Sequence, residues 1–507
     1  MTKADPSGSS AAAQPPALRV LFLAAEVAPF AKTGGLADVA GALPGPLAEG
    51  GVDVRVCLPR YGRVEPARFG FEPALPPFEI EIAGVTRAVR VLRGSIGGRV
   101  PVYLIDDDHY FNRPDIYGYS DDGERFVFFC QAALELVRRL DWQPQVVHCH
   151  DWHTGIVPNW LATRYQNDAF FGRTASLYTI HNLQYQGIFG YRVLEVAGVA
   201  EHGFLHHPQI QQLDEVVDLM ARGILFADVV TTVSPTYARE ILTPEHGEEL
   251  DPILRERRDR LHGILNGIDY AELDPARDRH LAAPFDVRTL SRRQENKLAL
   301  QRRAGLPERP DVPLVGMVSR LADQKGFDLL AEIYEPALRA LGLQIVILGT
   351  GDQRYHDLLQ QLSDLFPEQS HAFFTFSHEL AQQIYGGSDL FLMPSRFEPC
   401  GLGQMIAMRY GSIPVVRRTG GLADTVVDLD PGTDTGTGFI FDRYDRWELF
   451  GALVRAVECY RRPLAWSGLQ RRAMAQRFTW YDPAVRYVEL YHAAIRYRLE
   501  ATSGPTS

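Results

Sequence analysis

A chain of 507 residues exceeds what one hydrophobic core supports, so two or more domains are expected, and a hydrophobic share of 46% with 23% charged residues excludes a disordered chain. The formal net charge of −11 lacks the clustered positive footprint that nucleic acid requires, which excludes a polyanion as the main partner. The five cysteines, Cys57, Cys130, Cys149, Cys400 and Cys459, are odd in number and contain no C-x-x-C pair, which excludes a disulfide scaffold and a zinc ribbon and fits a reducing cytosol.

The opening MTKADPSGSSAAAQPP has no hydrophobic signal core, and residues 1–17 read as a disordered tail. Asp5 and the absence of arginine before Arg19 argue against a transit peptide, which is Arg-rich and poor in acids. No apolar run approaches the roughly eighteen residues of a spanning helix, so a cytoplasmic, bacterial-type protein without a membrane partner is expected. Nothing in the sequence marks an oligomeric state.

From residue 18, short aliphatic runs alternate with helix-length segments: LRVLFLAA, a glycine loop, ALPGPLAEGG, then DVRVCLP. That alternation predicts βαβ units on a parallel sheet. Further strands are expected at 100–106, 145–150, 175–181 and 228–234. The same grammar restarts with VPLVGMVSRL (312–321), a helix FDLLAEIYEPALRALG and LQIVILGTGD (343–352), then DLFLMPS (389–395) and IPVV (413–416). The fold class is therefore α/β with two doubly wound domains, 18–263 and 264–481, broken near ILNGID, and a helix at 482–500 that crosses back to the first domain. Such sheets bind ligands beyond the carboxyl ends of their strands, so the residues just after each strand carry the chemistry.

KTGGLADV (32–39) is nearly repeated as RTGGLADT (418–425). In each, consecutive glycines ahead of a helix let backbone N–H groups approach an anion, with Lys32 or Arg418 alongside. Thr33, Gly34 and Gly35, and likewise Thr419, Gly420 and Gly421, are thus candidate ligand contacts on two loops facing one cleft. The plain alternative is a glycine turn closing strand to helix.

HCHDWH (148–153) raises a metal alternative, since three imidazoles and a carboxylate lie close together: strand alternation sends His148 and His150 to one face, while His153 lies beyond the strand end, so a one-metal geometry is possible without being indicated. Asp151 lining a polar cleft floor is the favoured role, with no metal and no cofactor expected. HNLQYQG (181–187) offers His181, Asn182, Tyr185 and Gln186 to a sugar. SRLADQKG places Arg320 and Lys325 after a strand, a pair suited to a pyrophosphate leaving group. Gly349 and Gly351 of GTGD can cradle part of a nucleotide, although G-x-G alone is weak evidence. In SRFEPCGLGQ, Glu398 stands beside the turn Cys400, Gly401, Leu402, where a carboxylate can hold sugar hydroxyls.

Taken in order, KTGGLADV, HDWHTG, HNLQYQG, NGID, SRLADQKG, SRFEPCGL and RTGGLADT resemble the bacterial glycogen synthases and plant starch synthases across nearly all of residues 18–500. The resemblance implies a GT-B glycosyltransferase moving glucose from ADP-glucose to the end of an α-1,4-glucan with retention and without metal. It assigns Lys32 to the donor phosphate and glucan side, Arg320 and Lys325 to the diphosphate, Glu398 to the glucosyl hydroxyls, and Asp151 and His181 to the reacting sugar. Asp38 and Asn266 match the same motifs on the substrate side. Gly403 departs from relatives that carry a larger residue such as threonine. A relative using a short acceptor such as glucose 1-phosphate is the alternative within the class. A nucleotide-dependent oxidoreductase is disfavoured because the dinucleotide fingerprint is missing, and a carbohydrate-binding scaffold without turnover because Lys32, Arg320, Lys325 and Glu398 are all present.

Overall fold

The structure, a computed structural model, describes residues 17–503. The expected N-terminal tail lies outside the described residues except for Ala17.

Strands with every residue buried, such as Val146–His150 and Ala175–Ile180, are covered on both faces, as parallel sheets require. They belong to a 10-stranded sheet centred on Arg19–Leu23. On one side of that strand lie Asp53–Pro59 and Val100–Asp106, and on the other Val146–His150, Ala175–Ile180, Val229–Thr232 and Leu261–Gly263, all parallel. The chain thus reverses direction across the sheet between Arg19–Leu23 and Val146–His150. An antiparallel hairpin, Phe78–Ile82 and Val85–Ile96, finishes one edge.

The second sheet has six parallel strands: Ser370–Phe373, Gln344–Leu348, Leu314–Val318, Leu390–Met393, Ile413–Arg417 and Phe439–Phe441, in that spatial order. Its direction reverses between Leu314–Val318 and Leu390–Met393. Each doubly wound sheet opens a crevice at its point of reversal. The loops leaving those four central strands carry Lys32, Asp151, the Arg320 to Lys325 segment and Glu398, so the topology alone brings the candidate residues to two facing crevices.

The helix Tyr481–Ser503 packs on the first sheet, with Tyr487, Tyr491 and Ala494 fully buried in the first-domain core. Tyr491 Oη lies 2.8 Å from His148 Nδ1, and Arg498 pairs with Asp228 at 2.9 Å, so the end of the chain is tied to its first domain by polar as well as apolar contacts.

Candidate active site

Asp151 follows the strand Val146–His150 with φ of 53°, a left-handed backbone that a non-glycine residue adopts at a cost of order 1–3 kcal/mol. Its N–H donates to Thr179 O and its Oδ1 accepts the His181 N–H at 2.7 Å, so two neighbouring strand ends hold it. Burial pushes the Asp151 carboxyl up to about 7, against the lowering effect of the His181 and Asn182 N–H groups. Burial also drives the His181 imidazole down to about 3, so its ring is neutral at ordinary pH. His181 Nε2 shares a hydrogen bond of 2.8 Å with His150 Nδ1.

The trio in HCHDWH is divided. His148 spends its ring nitrogens on Tyr491 and Thr179, whereas His153 stacks on Trp152 at 4.0 Å, edge-on to Phe126. Among the described residues no group of three or more His, Cys, Asp or Glu side chains is arranged to hold a metal ion.

In the second domain, Lys325 Nζ lies 2.7 Å from Glu398 Oε2, which also accepts from Ser395 Oγ at 3.0 Å. Arg320 reaches across the cleft and donates to Tyr185 Oη at 3.0 Å. Arg320 and Tyr185, with Gln184, Gln324, Gly351 and Asp352, line a cleft of ≈ 380 Å³. Gly349 does not line that cleft; its bare Cα is required because an added Cβ would stand 2.2 Å from Ser319 O. Cys400 is buried beside Asn266, its thiol pushed up to about 12 by burial, and Leu402 packs against the same small core with Val233, Ile268 and Met405. Gly401 has φ of 71° and turns the chain there. At Gly403 a Cβ would meet the Phe391 ring at 3.0 Å, so a larger residue would need that ring to shift.

Lys32 pairs with Asp38 at 2.5 Å. Glu272 and His378 of the second domain, themselves 3.2 Å apart, act electrostatically on Asp38 from across the cleft. Asn182 Oδ1 caps the Gln184 N–H, and Gln186 donates to Glu248 O, so the HNLQYQG loop is braced within the first domain.

The two TGG loops depart from the sequence expectation that both lie open to a ligand anion. The N–H groups of Thr33 and Gly34 donate to the buried carboxylate of Glu26, which Tyr117 Oη also binds at 2.7 Å. Thr419 Oγ1 and the Gly420 N–H donate to Glu240, at 3.1 and 3.0 Å, and Glu240 belongs to the first domain. Both loops do bind an anion, but in each case it is a carboxylate of the chain itself. Arg418 pairs with Asp442, away from its loop's glycines. Sequence reasoning missed Glu26, Glu240 and Gln324. Only Gln324 carried a signal, its place inside SRLADQKG.

Residues 19–256 match the family model described as the starch synthase catalytic domain, and residues 301–466 match glycosyl transferases group 1. The glycogen synthase of Desulforudis audaxviator is 48% identical, covering 94% of this chain and 97% of that one, and the glycogen synthase of Moorella thermoacetica is 46% identical, covering 96% and 98%. Among solved structures, the catalytic domain of starch synthase IV from Arabidopsis thaliana, bound to ADP and acarbose, superimposes with a TM-score of 0.88 at 36% identity, covering 95% of this chain and 100% of that one. A sucrose-phosphate synthase from Thermosynechococcus elongatus shares the fold alone, at a TM-score of 0.59 and 18% identity. With its two Rossmann-like domains in the GT-B arrangement, the chain belongs to the glycogen and starch synthase family.

Proposed function

We propose that the protein extends α-1,4-glucan chains with glucose from ADP-glucose, releasing ADP, with retention at the anomeric carbon and no metal, in the cytoplasm. The observation that carries this reading is the Lys325–Glu398 ion pair, with Lys325 at the end of the segment whose Arg320 lines the cleft. In a nucleotide sugar the terminal phosphate and the glucosyl ring are joined through one oxygen, so the groups that hold them must be neighbours. A cation and a carboxylate 2.7 Å apart meet that demand, the cation for phosphate and the carboxylate for sugar hydroxyls. The relative solved bound to ADP and acarbose supports a nucleotide-sugar donor and a glucan acceptor.

The transition state resembles an oxocarbenium ion, with negative charge growing on the departing ADP. Arg320 and Lys325 act where that charge appears, and so contribute more in the transition state than in the ground state. Across the cleft, Asp151 and neutral His181 present hydrogen-bonding groups to the reacting sugar, and Lys32 adds a cation on the glucan side. Among the described residues no carboxylate stands out as a nucleophile. Retention follows a same-face substitution in which the ADP phosphate assists removal of the acceptor's proton.

The test is a panel of donors and acceptors: ADP-glucose, UDP-glucose and NADH, each with glycogen or glucose 1-phosphate. ADP release with lengthening of glycogen is expected. ADP release only with glucose 1-phosphate would establish the short-acceptor alternative, and NADH consumption would overturn the reading altogether.

A further inference from the structure

The helix Pro235–Glu240 touches three parts of the proposed site at once. On its first-domain side, Tyr237 Oη accepts the Leu183 N–H at 3.2 Å, bracing the loop that begins at His181. Toward the second domain, its capping Ser234 donates to Pro399 O at 2.6 Å, in the turn that carries Glu398. Thr236 donates from both N–H and Oγ1 to the Asp424 carboxylate at 2.8 and 2.7 Å, and Glu240 receives Thr419 and Gly420 as described.

The helix therefore lies antiparallel to Gly420–Thr425, and each caps the other: Asp424 near the end of one receives the start of its partner, while Glu240 at the end of the partner receives the start of the first. The loop it grips is seated on the Glu398 turn, since Gly421 N donates to Glu398 O at 3.0 Å and a Cβ on Gly420 would stand 1.9 Å from that same oxygen. A continuous path of hydrogen bonds runs from the His181 loop through this helix to the Glu398 backbone.

We propose that the Pro235–Glu240 helix is the strut that sets the His181 loop against the Glu398 turn across the cleft, with Glu240 and Thr236 as positioning residues for glucosyl transfer. The proposal rests on the reading of the site given above. Glu240 acts through the Gly420 N–H and the Thr419 hydroxyl, and Thr236 through the Asp424 carboxylate, all in the opposite domain. The second TGG loop is accordingly a docking socket between domains.

The experiment compares wild type with Glu240→Ala, Glu240→Gln and Thr236→Val, measuring kcat with glycogen at saturating ADP-glucose, the Kd for ADP by calorimetry, and the thermal midpoint. Misplacing reacting groups by about 1 Å costs up to about a hundredfold in rate, so kcat of Glu240→Ala should fall by about tenfold to a hundredfold. The Kd for ADP should change by less than about threefold, because Arg320 and Lys325 lie together in the second domain whichever way it is docked. Glu240→Gln keeps an acceptor for Gly420 and should recover most of the rate. Thr236→Val, which loses the hydroxyl bond to Asp424, carries the test if the alanine variant does not fold, through a kcat lowered by about threefold to tenfold at unchanged ADP affinity. A kcat within about twofold of wild type for every variant, or equal losses of kcat and ADP affinity, would overturn the proposal. Absence of transfer by the wild type would instead remove the functional reading, and that result is seen before any variant is made.

Discussion

Lys325 and Glu398 form an ion pair of 2.7 Å in which the lysine side chain is 15% and the glutamate 7% exposed. Two groups expected to serve different parts of one ligand thus also support each other. Removing one member of a buried pair leaves the other charge uncompensated, at a cost of about 3 kcal/mol or more. Lys325→Ala should therefore lose stability as well as turnover, with the thermal midpoint down by several degrees. Scanning calorimetry checks this, and an unchanged midpoint would mean that Glu398 finds another donor, with Ser395 the nearest.

Arg320 has no such partner: it donates to the exposed Tyr185 hydroxyl and to Gln324. Arg320→Ala should leave the midpoint nearly unmoved and lower kcat by roughly a hundredfold to a thousandfold, the usual loss of an electrostatic donor acting in the transition state. Arg320→Lys should recover only part, since a point charge replaces a planar fork. Near-normal kcat for Arg320→Ala at saturating ADP-glucose would show that this guanidinium is a surface charge. The pair of measurements separates the two cations that SRLADQKG makes look alike.

The central strands were legible because buried parallel strands are continuous apolar runs ended by loops; Asp53–Pro59 and Val100–Asp106 coincide with DVRVCLP and VPVYLID. The edge hairpin was not, for its turn is Ala83-Gly84, with φ of 51° and 77°. Both central residues are left-handed, as a tight hairpin prefers, but alanine hides the usual Asn-Gly or Asp-Gly signature. At the site, strand-end position singled out Arg320, Lys325, Glu398 and Asp151, which lie on loops leaving the central strands of the two sheets. The occupant of the second TGG loop was hidden for another reason: Glu240 lies 180 residues from Gly420; Glu26 is only 8 residues from Gly34, but no residue pattern marks it as that loop's acceptor. A glycine-rich loop announces that it will bind an anion and says nothing about whether that anion is a ligand or a distant carboxylate.

His148 directs both ring nitrogens to Tyr491 and Thr179, and His153 lies among aromatic rings, so the HCHDWH segment offers no convergent ligand set. On the proposed reading of the site, Arg320 and Lys325 would supply the positive charge that a metal would otherwise bring to the diphosphate. Treatment with a chelator should leave glucosyl transfer intact. Activity lost with chelator and restored by zinc would require a metal site that these residues do not form.

The buried Asp151 carboxyl, raised from the usual carboxylate range to about 7, makes stability depend on pH in a fixed direction. Below about pH 4 the group is protonated in both the folded and the unfolded chain, and burial costs nothing extra. As pH rises from 4 to 7 the unfolded chain releases its proton first, so folding loses stability throughout that window, by at most about 4 kcal/mol, and the full penalty persists above it. Asp151→Asn does not titrate, and its amide oxygen can still accept the His181 N–H. The neutral form of His181, favoured by burial, penalises folding at acid pH in both proteins and cancels in the comparison. The midpoint of Asp151→Asn should therefore rise relative to wild type between pH 5 and pH 8, measured by thermal melts across that range. A constant difference at every pH would mean that Asp151 is ionised throughout and that its two backbone donors outweigh its burial.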